Sequence, residues 1–347
     1  MTVHEIAALA GVSIGTVDRV LHKRGRVSTE TRAKIEAIVE QYQFTPNPIA
    51  RSLKRNRPYR FCALIPRRNQ DAGYWGQIVE GIERAAGEIK PLGAKTEIIE
   101  YDRYNPKSFE KASAAVSAGK PDGLVFAPIM QKRTRSFVER VCAEKIPLVF
   151  VDSDMPQTAP LCVIGQDSFS GGYLAGRLFH LFAGAAPMQA AVLDAHGDDY
   201  NITLRRDGFL SYAKENGFSV VVREYSDNGG DISVEEIEQF LKEERHLSGL
   251  FITNSMAHRV AEAVKQRRKK EPFLLIGYDL IPSNRQMLLH GRINAIISQR
   301  PEEQGREAIL TLFRSVVLKQ TVETNRKIPL DVFIKENTPS LPVGGNK

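Results

Sequence analysis

The sequence predicts a two-part α/β protein: a three-helix head with a helix-turn-helix, then two open parallel-sheet lobes that face each other across a cleft. Three observations lead there. Residues 2–42 show three short helical periodicities separated by cap and turn residues. From Arg60 onward, apolar runs of strand length alternate with amphipathic helical stretches, and the same alternation resumes at Gln189. With 347 residues, 42% hydrophobic and 26% charged, the chain is long enough for two or three folding units and too apolar to be disordered.

Charge is concentrated in the head. The first 60 residues hold 11 Arg and Lys against five Asp and Glu, which accounts for nearly all of the net +7. Any anion held by long-range electrostatics is therefore expected at the N-terminus. The cysteines, Cys62, Cys142 and Cys162, are widely spaced and odd in number, so they read as reduced thiols without a zinc or redox motif. No apolar run would span a bilayer and no basic-then-apolar leader opens the chain; the expected location is the cytoplasm, with no membrane partner.

Thr2-Val3-His4-Glu5 has the form of a capping box, so a first helix is expected there with Ile6, Leu9 and Ala10 on its apolar face. Gly11 suits the left-handed residue that ends a helix, and Ser13 suits the cap of a second one. That helix turns Val17, Val20 and Leu21 inward and leaves Ile14, Gly15, Thr16, Asp18, Arg19 and His22 outward. Two short helices joined by Gly11-Val12-Ser13 make a helix-turn-helix whose second member would enter a major groove. A third helix, from Ser28 through Ile35, Ile38, Val39 and Tyr42, would close the small core.

In the remainder, strands are expected near Phe61–Ile65, Thr96–Ile99, Gly123–Ala127 and Leu148–Val151. A second set is expected near Gln189–Leu193, Val220–Arg223, Leu250–Thr253 and Phe273–Ile276. Ligands of open α/β sheets sit at the carboxyl ends of the strands. Polar residues recur there: Asp152 after Leu148–Val151, Asn254 after Leu250–Thr253, Asp279 after Gly277-Tyr278, and Gln299 after Ala295–Ser298. Each alone reads equally well as a turn former or helix cap; their recurrence points to a site for vicinal hydroxyls.

Residues 2–57 resemble the headpiece of the LacI/GalR family of bacterial repressors. The pattern is carried by Ile6-Ala7, Ala10-Gly11-Val12-Ser13, Thr16-Val17, Arg19-Val20-Leu21, Val27-Ser28, Thr31-Arg32 and Pro46-Asn47. The resemblance implies DNA contacts from Thr2, Ser13, Ile14, Gly15, Thr16, Asp18, Arg19 and His22, with Arg19 suited to the two acceptors of guanine. Asp18 departs from the small hydroxyl residue usual there, and three placements stay open: on a cytosine amino group, paired with a nearby arginine, or turned away. Asn47-Pro-Ile-Ala-Arg-Ser-Leu53 resembles the family's hinge helix, implying that Asn47 and Ala50 face DNA and that Leu53 wedges into the minor groove. Leu53 opening the core of the next domain is the competing reading.

The rest resembles the periplasmic-binding-protein-like sugar domain of such regulators, a two-lobed Rossmann-like type I fold. Arg205 opens Arg-Arg-Asp-Gly-Phe, matching Arg-x-x-Gly-Phe, and Gly277-Tyr278-Asp279 matches a signature ending in a ligand-binding Asp. Tyr74 and Trp75 fall where sugar-binding relatives stack aromatic rings on the ligand, although Trp75 also reads as a core residue of the following helix. Relatives carry Asn-Pro before these rings where this chain has Ala72-Gly73, leaving Asp71 or Asn69 to supply the polar contact. The implied effector set is Asp71, Tyr74, Trp75, Asp152, Arg205, Asn254, Asp279 and Gln299.

The expected organisation is a headpiece over 1–46, hinge and linker over 47–58, and an effector domain over 59–340, with a tail from 341 to 347. Within it, one lobe takes 59–164 and 298–328 and the other takes 165–297 and 329–340. The expected partners are double-stranded operator DNA, a small carbohydrate and a second copy of the chain, with a tetramer also possible; no cofactor is expected. A transport-type sugar-binding protein shares the two lobes but has no use for a DNA-binding head. An enzyme reading of Ala195-His196-Gly197-Asp198-Asp199 competes with that of an ordinary loop after a strand, and no nucleophile, phosphate-cradling or metal motif supports it.

Overall fold

The computed structural model describes residues 1–21, 24–44, 57–184, 188–195, 199–225, 232–265 and 273–338. The chain divides into two units, Met1–Asn56 and Arg57–Lys347.

The head contains α1 (Val3–Ala10), α2 (Ile14–Leu21) and α3 (Thr29–Gln41). Thr2 and Glu5 form the expected capping box, and Gly11 ends α1 at φ +70°. The Ser13 hydroxyl accepts from the Thr16 amide at 3.2 Å, and the Ser28 hydroxyl from the Thr31 amide at 3.2 Å. Ile6, Ala7, Ala10, Val17, Val20 and Ile35 form the core. Two expected core residues lie outside it: Leu9 is 51% exposed and Tyr42 is 49% exposed. The buried stripe of α1 runs through Ala7 and leaves Leu9 at its edge. Helix α3 stops at Gln41, and Gln43 adopts φ +46°. Tyr42 therefore leaves the helical stripe, and Phe44 turns back onto the core in its place.

The second unit contains two parallel sheets with helices on both faces. The first lobe comprises β1 (Tyr59–Pro66), α4 (Tyr74–Ile89), β2 (Ala94–Tyr101), α5 (Pro106–Gly119), β3 (Gly123–Phe126), α6 (Gln131–Ala143), β4 (Leu148–Val151) and β5 (Cys162–Gly165). The chain then crosses into α7 (Ser168–Ala183), β6 (Gln189–Ala195), α8 (Tyr200–Glu215), β7 (Ser219–Tyr225), α9 (Val234–Glu243), β8 (Gly249–Ile252), α10 (Ala257–Ala263), β9 (Leu274–Tyr278), α11 (Pro282–Leu289) and β10 (Ala295–Ser298). It returns through α12 (Pro301–Leu312) and β11 (Asn325–Lys327) and crosses once more to β12 (Asp331–Phe333). The strand orders are β11-β5-β4-β3-β1-β2 and β12-β10-β9-β8-β6-β7, with only β12 antiparallel. The central strands are buried along their whole length, as parallel strands covered on both faces should be.

Each lobe is joined to the crossing segments by a helix pair that meets through glycines. In the first lobe α4 crosses α12, and a Cβ on Gly81 would lie 2.0 Å from the Glu302 carbonyl, one on Gly305 2.1 Å from that of Ile78. In the second, α7 crosses α8, with Gly172 set against the Arg205 carbonyl and Gly208 against that of Phe169. Bare backbone lets these helices approach closely enough to fix where α8 and α12 start, and both starts face the cleft. Gly305→Ala should lower stability in urea unfolding by about 1–3 kcal/mol through overpacking. Gly87→Ala, in α4 with nothing within 4 Å of the added carbon, should leave stability unchanged or raise it by up to about 1 kcal/mol.

Candidate functional site

The strand ends set the cleft. Strands β4 and β9 finish in apolar runs, and the next residues, Asp152 and Asp279, take left-handed backbone at φ +70° and +64°. Aspartate tolerates that conformation better than most side chains, and both carboxylates here line the cleft. Before α4, Asp71, Ala72 and Gly73 are left-handed in succession, at φ +51°, +54° and +90°. Two strained non-glycine residues in a row cost about 1–2 kcal/mol each, and the tight turn brings Asp71 back over Trp75.

All eight residues expected from sequence line one buried polar cavity: Asp71, Tyr74, Trp75, Asp152, Arg205, Asn254, Asp279 and Gln299. Asn69 is exposed and outside it, so Asp71 is the polar group before the aromatic pair. Arg103, Asp199, Asn201, Ile129, Ile202 and Ser255 complete the lining. Trp75 is 1% exposed and packs in the first lobe's core while its Nε1 donates to Asp71 at 2.5 Å. Its two sequence readings are thus compatible.

Bonds between the lobes cross the cavity. Arg103, 6% exposed, donates to Asp71 at 2.5 Å within its own lobe and to Asp199 of the other at 2.6 Å. Asp199 also accepts from the Met130 amide at 3.0 Å, Asn201 donates to Asp152 at 3.0 Å, and the Ser255 hydroxyl donates to the Asp71 carbonyl at 2.9 Å. The space enclosed is about 30 Å³, room for about two water molecules. A ligand of sugar size must part the lobes and exchange its own hydrogen bonds for some of these.

Arg205 lies with its guanidinium carbon 3.8 Å from the Tyr278 ring centroid and donates to the Thr253 carbonyl at 2.8 Å. The Gln166 amide, oriented by its hydrogen bonds, accepts from Arg205 Nε at 3.0 Å and from Nη2. Of the five guanidinium N–H groups, two remain for a ligand. The Tyr74 hydroxyl donates to Asp152 at 2.6 Å, and Gln299 donates to Asp279 at 2.9 Å. Gln304, fully buried on α12, ties the two strand ends together: it accepts from the Asp152 amide at 2.9 Å and donates to the Gln299 carbonyl at 2.8 Å. Burial raises the Asp152 carboxyl above its ordinary value, against the opposing field of Arg205. Burial likewise pushes Asp279 up to about 7, opposed by Arg205 and Gln299 and reinforced by Asp152 and Asp71.

In the head, Ile14, Gly15, Asp18 and Arg19 are exposed on α2, Thr16 is half-buried, and Thr2 and Ser13 are exposed at the two caps. One face of α2 thus carries the expected groove-reading residues together. His22, Asn47, Ala50 and Leu53 lie outside the described residues.

Residues 2–47 match the bacterial regulatory proteins of the lacI family, and residues 62–319 match the periplasmic binding protein domain. This chain belongs to the LacI family of transcriptional regulators. Among its relatives, the HTH-type transcriptional regulator DegA of Bacillus subtilis is 25% identical over 98% of both chains. The HTH-type transcriptional repressor PurR of Yersinia pestis is 26% identical over 94% of this chain and 95% of its own. A Bacteroides fragilis protein assigned as a LacI transcriptional regulator superposes with a TM-score of 0.75 at 28% identity, covering 81% of this chain and 98% of that one. GanP, a glucose-galactose binding protein of Geobacillus stearothermophilus, shares the fold with a TM-score of 0.72 at 21% identity, over 82% of this chain and all of its own. The regulator thus joins a DNA-binding helix-turn-helix to a ligand-binding domain of two lobes. Its relatives are regulators, not enzymes. Among the described residues no helix is long and apolar enough to cross a membrane.

Sequence reading missed Arg103, Asp199, Asn201 and Ser255. Asp199 falls in the loop after β6 that an enzyme reading competes for, and Asn201 follows it by two residues at the start of α8. Arg103 follows β2 by two residues and obeys the strand-end rule, but β2 runs two residues beyond the apolar stretch Thr96–Ile99.

The Asp279 shift has a pH consequence. An unfolded Asp titrates near 3.9, so between about pH 4 and 7 the unfolded chain ionises this group while the folded chain keeps its proton. The stability contributed by Asp279 is full below about pH 4 and falls as pH rises through about 7. Urea unfolding should show Asp279→Asn losing that part of the decline between about pH 4 and 7; an unchanged slope would place the carboxyl's titration elsewhere.

Proposed function

We propose that the regulator is a cytoplasmic homodimeric repressor whose operator affinity is set by a small sugar or sugar-like effector held between its two lobes. The observation that carries this reading is the convergence of carboxylates, amides and a ring-stacked arginine from both lobes on one buried cavity at the strand ends. Such groups suit vicinal hydroxyls, and their placement on two separable lobes makes occupancy and lobe geometry one equilibrium. The head supplies the output: its outward α2 face and its share of the positive charge suit one half-site of a pseudo-palindromic operator. Two heads per dimer, with hinge segments over 47–58 pairing in the minor groove, would couple lobe geometry to DNA; linkage then requires operator and effector to change each other's affinity by the same factor. A solute-binding protein of sugar uptake shares the lobes but leaves residues 2–47 without a role.

Arg19→Ala should cost about 1–3 kcal/mol of discrimination between a selected operator and a variant altered at one guanine, with effector binding retained. Arg205→Ala and Asp279→Ala should bind operator as wild type does but give no response to effector. Fluorescence anisotropy on labelled operator reads all three. Undiminished selectivity in Arg19→Ala would refute the recognition-helix assignment, and an intact effector response in both cleft variants would refute the cleft.

A further inference from the structure

The cleft is short of positive charge. Four carboxylates line it, Asp71, Asp152, Asp199 and Asp279, against two guanidiniums, Arg103 and Arg205, and no lysine is among the lining residues. Both guanidiniums are engaged. Arg103 pairs with Asp71 and Asp199, and Arg205 is held by Thr253, Gln166 and the Tyr278 ring. Among the described residues Asp152 and Asp279 have no ion pair. Asp152 is met by neutral donors, the Tyr74 hydroxyl and the Asn201 amide. Asp279 accepts through Oδ1 alone, from Gln299, although it is only 4% exposed. Among the described residues no hydrogen bond is made to its Oδ2, and the residue stands on the wall of the cavity. Burial and the neighbouring carboxylates keep its carboxyl up to about 7, as a deficit of positive charge would.

A phosphate or carboxylate brought here would lose its hydration and meet an excess of carboxylates, with the two remaining N–H groups of Arg205 as its only cationic contact among the lining residues. A hydroxyl can donate to Asp279 Oδ2 and accept from the remaining Arg205 N–H groups. An ammonium offers three donors and the missing charge. We propose that the cleft ranks its ligands by charge: it takes a small polyhydroxylated molecule without an anionic group, prefers one whose protonated amine reaches Asp279, and rejects phosphorylated and carboxylated counterparts. This rests on the cleft being the effector site. Rejection comes from placing like charge against like, a discrimination that neutral contacts do not supply.

The full-length protein carries its own reporter, since Trp75 is its only tryptophan and lines the cavity. Matched sets of neutral hexoses, pentoses and cyclitols, their amino derivatives, their phosphates and their uronic acids are titrated by Trp75 fluorescence, with thermal unfolding in parallel. The expected result is that an amino derivative binds at least about tenfold tighter than its neutral parent and the phosphate and uronate at least about tenfold weaker, a step of about 1.4 kcal/mol each. Asp279→Asn should bring amine and parent to similar affinity. A phosphate or uronate that binds as tightly as its parent and changes Trp75 fluorescence overturns the charge ranking while leaving the cleft as effector site. So does an amine no better than its parent. Ligands that shift thermal unfolding without any Trp75 response overturn the effector site itself, and the absence of binding by any member at millimolar concentration contradicts both.

Discussion

The buried Arg103 guanidinium sets the geometry of the cleft. It holds Asp71 on its own lobe and Asp199 on the other, at 2.5 and 2.6 Å. Asp71 in turn accepts from Trp75 and Tyr104, and Asp199 from the Met130 amide. Truncating such a cation would strand two buried carboxylates, a loss of about 3–5 kcal/mol. The arrangement gains little over an apolar contact of the same shape, because both charges were desolvated to make it. Its value is directional: the pair forms in one relative placement of the lobes, and a ligand with hydroxyls can take over either partner.

The rest of the second unit transmits that placement. Arg205 starts its cleft contacts from α8, which crosses α7 through Gly172 and Gly208. Gln304 ties Asp152 to Gln299 from α12, which crosses α4 through Gly81 and Gly305. Helices α7 and α12 follow the chain segments that pass between lobes, after β5 and after β10. Close helix crossings make each lobe rigid, so a change in the cleft is expressed as movement between lobes rather than absorbed within one. The left-handed turn Asp71-Ala72-Gly73 holds local strain at the point where the first lobe touches Ser255 of the second. That strain is sustained by the bonds Asp71 makes, and it gives the turn a reason to change when those bonds are exchanged.

Much of this was legible in the sequence, for a physical reason. Central parallel strands are buried on both faces, so they read as unbroken apolar runs, and the polar residues within two positions of each run's end mark the cleft: Asp152, Asn254, Asp279 and Gln299 are legible this way. Edge strands carry no such mark. β2 is half-exposed and mixed in character, so its end and Arg103 beyond it were hidden. β11 and β12 are three residues each, held by the sheet rather than by their own composition. The head was read from its caps, whose chemistry is local. Leu9 and Tyr42 were misplaced because periodicity alone does not fix which edge of a short helix faces the core. No sequence pattern announced that the lobes would bond to each other directly, since that depends on pairing across elements a hundred residues apart.

The central claim is that the Arg103–Asp199 contact holds the lobes together until a ligand replaces it. Its most direct test is the distance distribution between spin labels on α6 and α9, one in each lobe, measured by pulsed electron resonance for wild type and for Arg103→Met. The account predicts a longer, broader distribution in Arg103→Met, with an intermediate one in a third protein, Asp199→Asn. Identical distributions in all three proteins would contradict it.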